Sequence, residues 1–172
     1  MSDLFDQVTS DQDPIKKLMS KIPGFKGYIE RATRRDADKL LREQIASQFS
    51  QLKTKVGEIQ QDFVSSGELS YLDDLETAAT KIQTFIDKIS HASYGYAGFF
   101  DAIKIKEEEL AKIYEFDLAM VDLGEEIERA IENVNASIDT DGLPAAIRHL
   151  VSLTRDLVST FDRREEVVTS VN

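Results

Sequence analysis

Apolar residues recur along most of this chain at alternating intervals of three and four, the spacing that stacks side chains on one face of an α-helix. The longest stripe, Leu41, Ile45, Phe49, Leu52, Val56, Ile59 and Phe63, steps by 4, 4, 3, 4, 3 and 4. Between Phe25 and Ser66 no proline interrupts and Gly57 lowers helix propensity without forbidding it, so a single long N-terminal helix is expected there, closed by Gly67. A second stripe, Leu72, Leu75, Ala79, Ile82, Ile86 and Ile89, opens near Tyr71, where Ser70 and Asp73 stand at capping-box spacing. Leu110, Ile113, Phe116, Met120, Leu123, Ile127, Ile131 and Val134 mark a third helix over 102–137. Leu143, Ile147, Leu150, Thr154, Leu157 and Phe161 mark a fourth, with the loop Asp139–Gly142 before it and Pro144 just inside its start. Upstream, Ile15, Leu18, Met19 and Ile22 belong to a short helix that begins at Asp13-Pro14 and stops at Pro23-Gly24. Alternation at period two is absent over any useful length, so no strand is predicted.

Four amphipathic helices with short connections pack as an all-α, antiparallel up-down-up-down bundle, here with one long N-terminal helix. The domain plan is an acidic tail plus short basic amphipathic helix over 1–24, then the bundle over 25–172. One alternative keeps the same stripes. The rhythm runs nearly in phase through Ile86, Ile89, Ser93, Tyr96, Phe100 and Ile103, so helices two and three could form one long central helix with the others folded back on it. Gly95 and Gly98 favour a turn instead, and the aromatics Tyr94, Tyr96, Phe99 and Phe100 then plug a bundle end. Between Glu30 and Lys39 only Ala32 and Ala37 are apolar, so residues 25–40 are expected to pack weakly or to project past the bundle.

Charge changes this picture more than composition does. The chain of 172 residues carries a net charge of −11. Yet residues 14–42 hold nine cations against three anions, while residues 1–13 hold four aspartates and no cation. An isolated basic block on an acidic protein is a candidate docking surface for something anionic. Lys16, Lys17, Lys21, Lys26, Arg31, Arg34 and Arg35 would supply attraction, and Ile15, Leu18 and Phe25 burial, as in a helix lying on anionic lipid or in an acidic partner's groove. The competing reading sets these cations against the acidic body of the same molecule, with Arg34 beside Glu30 and Asp38.

Other chemistry finds little support. The absence of cysteine excludes disulfides and thiolate sites and is compatible with a cytoplasmic protein, peripheral at the membrane if lipid is the partner. Met1–Asp6 is acidic where a secretory signal is basic then apolar, and no run reaches the ~20 apolar residues of a membrane span. Nucleic acid suits the spacing of Arg31, Arg34, Arg35 and Arg42, but the acidic remainder would repel it. Neither His91 nor His149 has a glutamate three residues before it, so no di-metal bundle motif is present. The acidic clusters Glu107–Glu109 and Glu125–Glu128 are expected to be solvated faces. No catalytic, cofactor or metal residue is assigned.

The layout, a short amphipathic N-terminal piece before long charged helices, resembles peripheral membrane-remodelling helical proteins of the phage shock protein A kind. The resemblance is one of plan and implies membrane association. The residues themselves point to a non-enzymatic interaction or adaptor module that docks through residues 14–42 onto a protein partner or an anionic membrane surface. A self-assembling helical scaffold, a homo-oligomer through uncovered heptad stripes, is the rival reading.

Overall fold

A computed structural model describes residues 14–26, 34–92 and 107–170, apart from the side chains of 34–36, 107, 108 and 110. Over these residues the protein is an all-α bundle of α1 (Pro14–Lys21), α2 (Arg34–Ser66), α3 (Leu72–His91), α4 (Glu107–Ser137) and α5 (Leu143–Thr169). Boundaries follow local chemistry. Gly24 and Gly67, at φ 78° and 79°, end α1's turn and α2 in the left-handed conformation that glycine adopts without strain. After α2 the Glu68 N–H donates to Phe63 O at 2.9 Å and the Gly67 N–H to Val64 O at 3.2 Å, the paired bonds of a Schellman stop. Pro144 lies in the first turn of α5, as its missing N–H allows. The capping box at Ser70 does not form: Tyr71 holds the cap position of α3 with no side-chain cap bond.

Residue pairs across the helices fix their directions. Along α2 and α3, Arg42 meets Ile89, Phe49 meets Phe85, Lys53 meets Gln83 and Gln60 meets Glu76, so the two run antiparallel. Gly124 of α4 lies beside Gln48 and Phe49, and Glu128 pairs with Lys55, so α2 and α4 run parallel. Asp38 near the start of α2 meets Arg164 near the end of α5, and Phe85 and Lys88 of α3 meet Phe161 and Asp162 of α5. The helices α2 to α5 therefore alternate up, down, up, down. Their order around the core is α2, α3, α5, α4, with α3 and α4 on a diagonal. Loops 67–71 and 138–142 are too short for anything but hairpins, whereas fifteen residues, 92–106, separate the ends of α3 and α4.

Phe49 touches Phe85 at a centroid distance of 4.6 Å and lies 3.2 Å from where a Cβ on Gly124 would be. So α3 and α4 stand at one height across the core from each other, which rules out the single long central helix. The aromatic segment 93–100 lies outside the described residues, as do Arg31, Ala32 and the acidic tail.

The core joins Leu18, Ile22 and Phe25 of the N-terminal segment to the stripes of all four long helices. The α2 stripe from Ile45 to Phe63 is buried within one chain. It is therefore not the uncovered seam that the self-assembly reading requires. Of residues 25–40, expected to pack weakly, Phe25, Ala37 and Asp38 are buried while Lys26 and Lys39 are exposed. Apolar content alone underestimated that end of α2 because charged side chains fill its inward positions.

Candidate functional site

The basic N-terminal segment and a buried charged layer are the two places where charge is organised. The first begins with α1, eight residues that would not hold a helix alone. It lies along α4, with Leu18 and Phe25 fully buried and Ile22 nearly so. Each such burial is worth about 1.5–3 kcal/mol, which is what makes this helix form where it does. The buried Leu18 and Phe25 cannot also serve as exposed anchors in this arrangement, and Ile15 is half-buried against the same core.

Of the lysines, Lys21 is already engaged. Its Nζ lies 2.9 Å from Asp122 and 2.6 Å from Glu125 on α4, and the hydrogen bonds to Asp122 and Glu125 raise its pKa. Lys17 and Lys26 are exposed and Lys16 is half-buried. None of these three makes an ion pair with a described residue. The structure thus brings Lys16, Lys17, Lys21 and Lys26 together on one short segment but pairs one of them internally. Arg34 and Arg35 stand in the first turn of α2, their side chains outside the described residues, as is the whole of Arg31. Arg42 is not a surface cation at all.

Arg42 belongs to the second feature. Near the end of the bundle where α2 starts and α5 finishes, Asp38, Arg42, Asp117 and Arg164 are 3%, 5%, 0% and 0% exposed. Arg164 Nε donates to Asp117 Oδ1 at 2.6 Å and its Nη2 to Asp38 Oδ1 at 2.8 Å. Arg42 Nε donates to Asp38 Oδ2 at 2.7 Å, and its Nη1 to the Ile89 carbonyl at 3.2 Å. Two cations and two anions balance, and the bonds tie α2, α3, α4 and α5 together. Desolvation pushes the Asp117 carboxyl up to about 6, with Asp38 adding and the Arg164 guanidinium opposing. Asp38, expected beside Arg34, points inward and pairs with Arg42 and Arg164; the side chain of Arg34 lies outside the described residues.

The layer was missed because a strict apolar count passes over polar members of a stripe. In α4 the inward positions step through Ile113, Asp117, Met120, Gly124, Ile127, Ile131 and Val134, not through Phe116 and Leu123, which are half-buried. In α5, Arg164 and Val168 continue the sequence Leu157, Phe161 at intervals of 3 and 4. Extending the rhythm past the outermost apolar residues would have found Asp38 and Arg164, whereas Arg42 lies inside the α2 stripe, three residues before Ile45.

Every buried side-chain nitrogen and oxygen among the described residues has a hydrogen-bond partner. The charged layer is thus fully hydrogen-bonded at its buried side-chain atoms, as suits a device that specifies packing. His149 is exposed, and His91 Nδ1 lies 2.8 Å from the Asp87 carbonyl in its own helix. Among the described residues no group of metal-binding side chains converges, and no helix is long and apolar enough to cross a membrane. No family model matches this chain, and no curated protein or solved structure matches it significantly.

Proposed function

We propose that this protein is a non-enzymatic helical interaction module, working in the cytoplasm, that docks through its basic N-terminal segment onto an anionic partner. One observation carries the reading: residues 14–26 contain four lysines and no acid, and Lys16, Lys17 and Lys26 make no ion pair with a described residue while the segment is seated on an acidic body. A short cationic face on a body of opposite sign orients an anionic partner towards one spot. Its internal pair removes Lys21 from the docking set as long as α1 stays on α4. The complete hydrogen bonding of the buried side-chain atoms in the charged layer supports a structural use for those residues, consistent with an adaptor.

The test uses two probes, a polyglutamate peptide for an acidic protein surface and anionic vesicles for a lipid surface. Wild type should bind at least one at low salt and release it at high salt. Reversal of Lys16, Lys17 and Lys26 to Glu should abolish that binding. Equal binding by the reversed variant, or none by wild type with either probe, would reject the reading.

A further inference from the structure

We propose that α1 is a two-position strap, seated on α4 in the free protein and transferred to an anionic lipid surface on docking. The inference rests on the docking reading and adds the partner and the movement. Residues 14–26 divide into lysines and the apolar residues Leu18, Ile22 and Phe25, with no acid among them. That division suits a helix lying in the headgroup region, apolar side down, with lysines among the phosphates. A protein groove demands a matching shape as well, whereas a bilayer demands only the division itself, and for that reason lipid is the partner chosen.

In its seated position the segment cannot enter lipid. Leu18 and Phe25 are 0% exposed against the bundle, and Lys21 is held at 2.9 and 2.6 Å by Asp122 and Glu125. Docking as it stands would also bring acidic α4 against the surface. An anionic surface attracts the lysines of α1 and repels Asp122 and Glu125, so its field acts directly across the Lys21 contact. Lys21 exchanges two carboxylates for lipid phosphates, and Leu18, Ile22 and Phe25 exchange the bundle for acyl chains. The seat vacated on α4 returns to water and favours the closed position, so the charge of the lipid decides between the two.

The chain has no cysteine, so Ser20→Cys on α1 and Asn133→Cys on α4, both exposed, accept a spin-label pair without altering charge. Phosphatidylglycerol vesicles should lengthen the label distance, and pure phosphatidylcholine vesicles should leave it unchanged. Neutralising Lys16, Lys17 and Lys26 to Gln should weaken vesicle binding by about fivefold per lysine. Asp122→Asn with Glu125→Gln, which frees Lys21, should bind phosphatidylglycerol vesicles several-fold more tightly than Glu58→Gln with Asp62→Asn, a change of equal charge on α2. Vesicle binding without a change in distance, or equal tightening by the two double variants, overturns the strap and leaves the docking reading intact. Binding to polyglutamate but not to vesicles does the same, and binding to neither removes both.

Discussion

Replacing Arg164 by Met removes the guanidinium that bonds both Asp117 and Asp38 and leaves the Asp117 carboxylate, at 0% exposure, with no cation in contact. Asp38 retains Arg42 at 2.7 Å, so the loss falls mainly on Asp117. Breaking one side of a buried pair costs about 3–5 kcal/mol, a large share of the ~5–15 kcal/mol that holds a domain folded. With a urea dependence of about 2 kcal/mol per molar, the unfolding midpoint by far-ultraviolet circular dichroism at pH 7 should fall by about 2 M. The informative comparison is Arg164→Met with Asp117→Leu, which removes both charges and leaves Asp38 and Arg42 as a neutral pair. That double variant should return to within about 1 kcal/mol of wild type or exceed it, because desolvation and attraction are deleted together. A coupling of about 3 kcal/mol between the two sites is expected from the cycle. A loss below about 1 kcal/mol in the single variant, or a double variant as unstable as the sum of its parts, would refute the argument.

The same carboxyl predicts a pH dependence. Its folded pKa of about 6 lies above the ordinary 3.8, so its favourable contribution is complete below about 4 and is lost as pH rises through 6. Between pH 7 and pH 5 wild type should gain about 1 kcal/mol relative to Asp117→Asn, and parallel stability curves for the two would contradict this. Phe85 lies between Phe49 and Phe161, at centroid distances of 4.6 and 6.0 Å, so Phe85→Ala should cost about 3–5 kcal/mol in the same urea titration. At Gly124 an added Cβ would meet Gln48 Nε2 at 3.0 Å and Phe49 Cζ at 3.2 Å. Gly124→Ala should stay within about 1 kcal/mol of wild type, helix propensity offsetting the squeeze on a half-buried Gln48. Gly124→Leu should lose roughly 1–3 kcal/mol by forcing α2 and α4 apart, and a thermal midpoint equal to wild type would count against that close approach.

Much of the fold was legible because helix boundaries are local. Gly67 supplies a backbone conformation that costs other residues energy, and Pro144 fits a first turn wherever it occurs. The stripe from Ile45 to Phe63 needed no knowledge of its partners to be recognised as inward. The candidate site was half legible: the basic block could be counted, but whether Leu18 and Phe25 faced a stranger or the chain's own core could not. An amphipathic helix has the same pattern in both cases, since either environment removes the apolar side from water.

The sequence alone determined the helical class, the positions of the stops and the separation of a cationic front from an anionic body, all properties of residues near one another in the chain. Only the tertiary structure decided that α3 and α4 stand diagonally, that α1 lies on α4 with Lys21 between Asp122 and Glu125, and that Asp38, Arg42, Asp117 and Arg164 meet inside. The physical reason is that a charged side chain at an inward position is tolerable only when its counter-charge arrives from a distant segment. Asp117 and Arg164 are 47 residues apart, and Asp38 and Arg164 are 126 apart. No local pattern records a partner at that range, and it is the packing of the helices that supplies it.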